Sequence, residues 1–162
     1  MRKAILDITK QFEWEPEVVN SEKLGKFGKF IVAGMGGSGW VTDLIKTREP
    51  YIDILSHRNY GLPFLSEEEL KGRLLVASSY SGNTEEAVDA FEQALKKNIP
   101  LAVVSTRGRL LAAAKEKKVP YVQIPDTGIQ PRTATGFLMR AILKVIDAED
   151  LLAETSELAK TL

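Results

Sequence analysis

The length, composition and charge of this chain exclude several classes of protein. Its 162 residues suit one domain, and its 22 basic and 22 acidic side chains balance, so no overall positive field favours nucleic acid or an anionic membrane. It has no cysteine and one histidine, His57, which excludes disulfides and argues against a transition-metal site. No apolar run is long enough to cross a bilayer. We therefore expect a cytoplasmic domain without a metal or other cofactor.

Five short apolar runs predict buried strands. They lie at residues 30–33, 52–55, 74–77, 101–104 and 121–124. None shows the strict polar alternation of a half-exposed strand, which favours a parallel sheet covered on both faces. Helical patterns separate the runs, and this alternation predicts right-handed βαβ crossovers. The expected fold is an α/β three-layer sandwich with a central, mainly parallel sheet of about five strands.

The helix after Asn83 has the clearest pattern. Its apolar residues recur at helical spacing, and Asn83 and Glu86 have the spacing of a capping box. A further helix is predicted to begin near Pro131, because proline suits the first position of a helix. We expect a single domain over residues 1–148, followed at 149–162 by an amphipathic helix or a linker.

A glycine-rich loop follows the first predicted strand. It reads Gly34, Met35, Gly36, Gly37, Ser38, Gly39 and leads into helix-forming residues from Trp40 onward. Glycines let backbone N–H groups approach an anion closely, and the helix N-terminus adds free donors and the positive end of its dipole. This pattern favours phosphate binding.

A second polar loop follows the third predicted strand, at residues 78–84. It contains Ser78, Ser79, Ser81 and Thr84, whose hydroxyl groups could donate to a phosphate. Either loop alone could be an ordinary polar turn that caps a helix. Because the carboxyl ends of parallel strands meet at one sheet edge, the two loops together favour a binding cleft there.

Four motifs occur in order along the chain: GMGGSG, HRNYGLP, SYSGNTEE, and QPR with a glycine four residues after its arginine. This combination resembles the bifunctional phosphoglucose/phosphomannose isomerase family. The resemblance covers roughly residues 20–147 and falls on the family's N-terminal sugar isomerase (SIS) domain. It implies binding of a hexose 6-phosphate and aldose–ketose isomerisation through an enediol.

The resemblance also implies roles for individual residues. Ser38, Ser79, Ser81 and Thr84 would hold the sugar phosphate, while Gly36, Gly37 and Gly82 would shape the site. Arg132 would face the reacting carbons and stabilise negative charge on the enediol intermediate. An ordinary surface arginine at a helix start is the alternative interpretation of Arg132.

The family's catalytic base, ring-opening histidine and catalytic lysine belong to a second SIS domain, and no position of this chain matches them. Since isomerisation needs a base within reach of the transferred proton, we expect the chain to bind substrate without turning it over alone. The expected partner is a second copy of the chain or a second SIS half.

Other interpretations stay open at this point. Gly34, Gly36 and Gly39 also satisfy the GxGxxG pattern of dinucleotide-binding domains, although Ser56, His57 and Arg58 stand where an acidic residue would bind the ribose. Arg58 could instead meet a 2′-phosphate. A non-catalytic sugar-phosphate sensor is a second alternative. We interpret His57 as a structural residue.

Glu85 and Glu86 could also serve as a substitute base, since they lie one turn from the second loop. Acidic residues in the first turn of a helix are, however, ordinary stabilisers of that helix. We favour this second interpretation of the two glutamates.

Overall fold

The computed structural model describes residues 8–161. Its strands are β1 (Lys29–Ala33), β2 (Asp53–His57), β3 (Leu74–Ser79), β4 (Leu101–Ser105) and β5 (Tyr121–Gln123). Its α-helices are α1 (Ile8–Glu13), α2 (Gly36–Arg48), α3 (Glu67–Lys71), α4 (Glu85–Lys96), α5 (Gly108–Lys117), α6 (Thr135–Val145) and α7 (Glu149–Thr161). Short 3₁₀ turns occur at Ser21–Lys23 and Pro131–Thr133.

The five strands form one parallel sheet in the order β2–β1–β3–β4–β5. The predicted α/β sandwich with a parallel five-stranded sheet is therefore confirmed. The strand order reverses between β1 and β3, which are neighbours with Ala33 paired to Ala77. Ligands of open α/β sheets bind outside the carboxyl ends of the strands at such a reversal. The loops after β1 and β3 flank this point.

Each face of the sheet buries its own apolar core, which makes the fold three-layered. Side chains of β1, β3 and β4 on one face pack against α2 and α6, with Val41, Leu138 and Ile142 all fully buried. The opposite face packs against α4 and α5, where Phe91 and Leu110 are buried. The sheet is covered on both sides, and this explains why its strands read as continuous apolar runs.

A fully buried arginine connects the ends of the described chain. Arg140 on α6 donates to the carbonyl oxygens of Trp14 (2.5 Å) and Leu152 (3.2 Å) and to Thr155 Oγ1 (2.8 Å). Its guanidinium also pairs with Glu15 at 2.8 Å. A buried charge is tolerated only when it is paired and hydrogen-bonded, as here. Arg140 thus fastens α7 and the segment after α1 to α6, whereas a domain boundary at residue 148 stays a prediction.

Several predicted boundaries differ from those observed. Strand β2 starts at Asp53 and extends to His57, because β1 pairs along it as far as Ala33 with His57. Helix α2 already begins at Gly36, before Trp40. The predicted fifth strand, 121–124, ends one residue early, at Gln123.

The end of the chain after β5 also departs from expectation. Pro131 opens a 3₁₀ turn, and the α-helix expected there begins only at Thr135.

None of the helices within residues 8–161 is long and apolar enough to cross a membrane. Within the same range, no group of three or more potential metal ligands occurs.

Candidate functional site

The glycine-rich loop lies at the carboxyl end of β1, beside the end of β2. The Gly34 N–H donates to the carbonyl oxygen of His57 at 3.1 Å. Met35 precedes α2 without a side-chain cap, so the helix has no side chain of its own to accept from its first N–H groups. Ser38 lies in the first turn of α2 and is 4% exposed. This loop brings backbone donors and a hydroxyl to the sheet edge.

The second loop gathers three hydroxyl groups between β3 and α4. Ser79 Oγ lies 2.7 Å from Thr84 Oγ1 and 3.5 Å from Ser81 Oγ. The Ser79 oxygen also accepts from the Gly82 N–H at 3.0 Å. Ser79 is 1% exposed, while Ser81 and Thr84 are half-buried. The structure therefore brings together three of the four predicted phosphate-binding hydroxyls in one turn before a helix N-terminus.

Gly82 lets this loop lie against the turn after β4. Its φ is +71°, and a Cβ built on it would fall 1.6 Å from the carbonyl oxygen of Arg107. A residue with a side chain would therefore clash, besides adopting a strained backbone conformation. Only glycine fits this position, whereas a function of Gly82 in shaping a binding site stays a prediction.

The predicted capping box at the start of α4 is wrong. Thr84 precedes the helix without a side-chain cap, since its hydroxyl bonds to Ser79 instead. The Asn83 side-chain oxygen accepts from the backbone N–H of Arg109 at 3.1 Å, across the sheet edge. Thr84 is thus engaged by a bond within its own loop and Asn83 by a tertiary contact, so neither side chain caps the helix.

Arg132 lies next to the glycine-rich loop. A Cβ built on Gly37 would be 3.0 Å from the carbonyl oxygen of Pro131 and 3.7 Å from Arg132 Cα. The small size of Gly37 thus permits the QPR segment to approach the start of α2. Arg132 is exposed, and it forms no hydrogen bond or ion pair with any residue in the range 8–161. Its guanidinium is accordingly free to meet an anion.

Two other arginines near the loops are already paired with carboxylates. Arg58, whose Nε would lie 2.8 Å from a Cβ on Gly39, forms an ion pair with Asp43. Arg107 forms an ion pair with Asp126, and its hydrogen bond lowers the pKa of the Asp126 carboxyl. Arg132 differs from Arg58 and Arg107 in having no carboxylate partner within residues 8–161.

Glu85 and His57 have structural partners. The Tyr60 hydroxyl donates to Glu85 Oε2 at 2.9 Å, which raises the pKa of Tyr60. His57 Nε2 lies 3.1 Å from the carbonyl oxygen of Gly61, and the Gly61 N–H donates to Asp89 at 2.6 Å. These contacts hold the loop after β2 against α4. They favour a structural interpretation of both residues.

Three buried hydroxyls near the loops lie outside the four that the resemblance assigns to the phosphate, although Ser78 belongs to the second polar loop. Ser78 Oγ, Tyr80 OH and Thr106 Oγ1 have no hydrogen-bond partner in the described part of the chain. Ser78 and Tyr80 alternate with Ser79 along the end of β3, so they face the α2 and α6 side. Strand alternation in the motif SSYSGNT could have separated these two residues from Ser79.

This topology is the fold of SIS phosphosugar isomerase domains, and solved structures agree. The sugar isomerase domain of an RpiR transcription factor from Sphaerobacter thermophilus superimposes with a TM-score of 0.57 at 14% identity, covering 99% of this chain and 96% of that one. Tagatose-6-phosphate ketose/aldose isomerase from Escherichia coli gives a TM-score of 0.58 at 16% identity, over 86% of this chain and 42% of that one. At these identities the likeness concerns the fold alone.

Sequence similarity points to particular relatives. A bifunctional phosphoglucose/phosphomannose isomerase from Aquifex aeolicus is 29% identical, over 93% of this chain and 48% of its own length. One from Thermoplasma acidophilum is 33% identical, over 76% of this chain and 37% of its own length. No family model matches the chain. The predicted resemblance to these isomerases is confirmed, and the chain spans less than half the length of these curated relatives.

Proposed function

We propose that this chain binds a hexose 6-phosphate at the sheet edge between β1 and β3 and forms the phosphate-holding half of a phosphoglucose/phosphomannose isomerase. One observation carries the proposal: the Ser79, Ser81 and Thr84 hydroxyls converge before α4, at the strand-order reversal of the sheet. Hydroxyl and N–H donors at a helix N-terminus suit a phosphate dianion. The relatives named for this activity support the choice of ligand.

In this proposal the two loops hold the phosphate without a positively charged side chain of their own. When the phosphate binds, the Ser79 and Thr84 hydroxyls would exchange their mutual bond for bonds to it, Ser81 would donate beside them, and Ser38 would add another from the neighbouring loop. Gly36 and Gly37 keep the approach to α2 open, and Gly82 holds the second loop in its tight turn. The sugar then extends from the phosphate toward the QPR segment beside Gly37.

Arg132 is proposed to act on the reacting carbons. Isomerisation moves a proton between adjacent carbons through an enediol, on which negative charge develops. A guanidinium that no carboxylate neutralises stabilises such charge, and Arg132 has no such partner among the described residues. The proton acceptor would come from a second half or a second copy of the chain, in the cytoplasm.

Ligand-induced stabilisation tests the binding proposal. Fructose 6-phosphate, glucose 6-phosphate and mannose 6-phosphate should each raise the melting temperature of the protein, because they bind the native state. Free fructose and NAD serve as controls and should shift it far less. A shift with NAD and none with the sugar phosphates would reject the proposal in favour of dinucleotide binding.

A further inference from the structure

A buried glutamine from α1 reaches the segment that carries Arg132. Gln11 is 3% exposed. Its Nε2 donates to the carbonyl oxygen of Thr133 at 2.8 Å. Its Oε1 accepts from the backbone N–H groups of Gly136 at 3.0 Å and Phe137 at 3.4 Å. All three bonds cross more than 120 residues of sequence.

These bonds give α6 the cap that its own sequence lacks. Ala134 precedes the helix and offers no side-chain acceptor. Gly136 and Phe137 are the second and third residues of α6, and those N–H groups are the ones an N-cap oxygen normally accepts from. Gln11 therefore caps α6 from another helix. Because its Nε2 also holds Thr133, one side chain fixes both the helix start and the 3₁₀ turn before it.

Two glycines allow this arrangement on opposite sides of the turn. A Cβ on Gly136 would fall 2.6 Å from the Cβ of Gln11, so a larger residue there would displace the glutamine. On the other side of the turn, the carbonyl oxygen of Pro131 lies close to Gly37. A Cβ built on Gly37 would be 3.0 Å from that oxygen. The turn at Pro131–Thr133 is thus held between Gln11 and the start of α2.

We infer that Gln11 is a positioning residue for Arg132: it fixes the QPR turn against the glycine-rich loop, so that the exposed guanidinium points to the sugar carbons rather than sampling solvent. Arg132 has no hydrogen bond or ion pair that would orient its side chain within residues 8–161, so the position of its backbone decides where the guanidinium can reach. The inference rests on the proposed function, since it concerns the Arg132 end of the same site.

The test compares ligands that do and do not need Arg132. The probes are inorganic phosphate, fructose 6-phosphate, and 5-phosphoarabinonate, whose carboxylate imitates the charge of the enediolate. Gln11→Met removes all three hydrogen bonds at similar side-chain length. Gln11→Glu keeps an acceptor for the α6 N–H groups but, when ionised, cannot donate to Thr133. Glu15→Gln is the control, because Glu15 bonds Arg140 on α6 but does not touch the QPR turn.

We expect Gln11→Met and Gln11→Glu to weaken 5-phosphoarabinonate binding at least about tenfold, since charge-assisted hydrogen bonds depend on geometry. Inorganic phosphate should bind within about twofold of the wild type, because the hydroxyl loop after β3 is untouched. With Arg132→Gln already present, the Gln11 substitutions should have no further effect on the analogue. Glu15→Gln should match the wild type for all three probes.

Two results would overturn the inference alone, with sugar-phosphate binding intact. One is equal weakening of phosphate and analogue binding, which would make Gln11 a general structural residue. The other is full additivity of the Gln11 and Arg132 substitutions, which would show that they act independently. If the wild type binds none of the sugar phosphates, the proposed function itself fails. Gln11→Glu keeps the test valid should Gln11→Met not fold.

Discussion

The hydroxyl oxygens of Ser79 and Thr84 lie 2.7 Å apart across the turn that joins β3 to α4. Ser79 also accepts from two backbone N–H groups, those of Gly82 at 3.0 Å and Thr84 at 3.5 Å. Ser79 therefore holds the loop together, and in the proposed site it would also meet the ligand. Thr84 and Ser81 lie nearer the surface and are better targets for separating binding from folding.

We predict that Thr84→Val and Ser81→Ala weaken fructose 6-phosphate binding while folding is largely kept. Each removes a hydroxyl donor to a charged ligand, at a cost of about 1.5 to 3 kcal/mol, which is about 10- to 150-fold in the dissociation constant. Isothermal titration calorimetry measures the change. Thr47→Val is the matched control, because Thr47 is an exposed threonine that bonds the Asp43 carbonyl on α2. Wild-type affinity in both loop variants would limit these hydroxyls to a structural function.

A second prediction concerns Gly82 and uses Gly128 for comparison. Both have positive φ, +71° and +69°, but a Cβ on Gly82 would fall 1.6 Å from the Arg107 carbonyl oxygen, whereas nothing lies within 4 Å of one on Gly128. Gly128→Ala should cost about 1 kcal/mol of stability for the backbone conformation alone. Gly82→Ala should cost clearly more, because the loop must also move away from Arg107.

Urea denaturation gives both free energies of unfolding. Equal losses for the two alanine variants would mean that the loop after β3 yields to the added Cβ without cost. A stable Gly82→Ala variant with lost sugar-phosphate binding would likewise show that the site, and not the fold, depends on this glycine.

Much of the fold could be predicted because local pattern and tertiary structure agree. The apolar run of β3 and the apolar face of α4 appear in the structure where the sequence places them, since both are buried on a sheet covered by helices. The capping box of Asn83 and Glu86 failed for the opposite reason. Its spacing is correct, but Asn83 finds a partner in Arg109, 26 residues away. No local pattern contains that contact.

The candidate site divides in the same way. Ser79, Ser81 and Thr84 lie within six residues, so the sequence alone brings them close together. Gln11 and Thr133 are 122 residues apart and meet only through the packing of α1 on α6. A single glutamine between Lys10 and Phe12 forms no motif by itself. Its partners are backbone atoms, which any sequence would supply.

We predict that the Asp53–Arg73 ion pair contributes stability that is lost at low pH. Arg73 donates to both Asp53 oxygens, at 2.6 and 3.3 Å, and this hydrogen bonding lowers the pKa of the Asp53 carboxyl. A carboxyl whose pKa is lower in the folded state stabilises the protein above its unfolded pKa, about 3.9, and loses this contribution as the pH falls through the folded value. Because Asp53 is partly exposed, the effect should be modest.

The variant Asp53→Asn tests the direction of this pH dependence of stability. The variant should be less stable than the wild type at pH 7. The difference between their free energies of unfolding should become smaller as the pH is lowered below about 4. Asp43→Asn, which removes the partner of Arg58 at the surface, should show a smaller gap at pH 7. A gap for Asp53→Asn that stays constant down to pH 2 would contradict an ionised carboxylate as its cause.

The last prediction is that this 162-residue polypeptide, assayed alone, binds fructose 6-phosphate but converts it very slowly. In the proposed site Arg132, which pairs with no carboxylate within residues 8–161, would stabilise an enediolate. Charge stabilisation nevertheless leaves the carbon-bound proton in place unless a base is positioned to take it. Glu85 is held by the Tyr60 hydroxyl at 2.9 Å, and the resemblance assigns the base to a second SIS half. Loss of general acid–base catalysis usually removes about 10² to 10⁴ in rate.

Coupled assays of glucose 6-phosphate formation should therefore give a rate at or near background, whereas calorimetry on the same preparation shows binding. Rapid conversion that Glu85→Gln or Glu86→Gln abolishes would refute this and identify a first-turn carboxylate of α4 as the base.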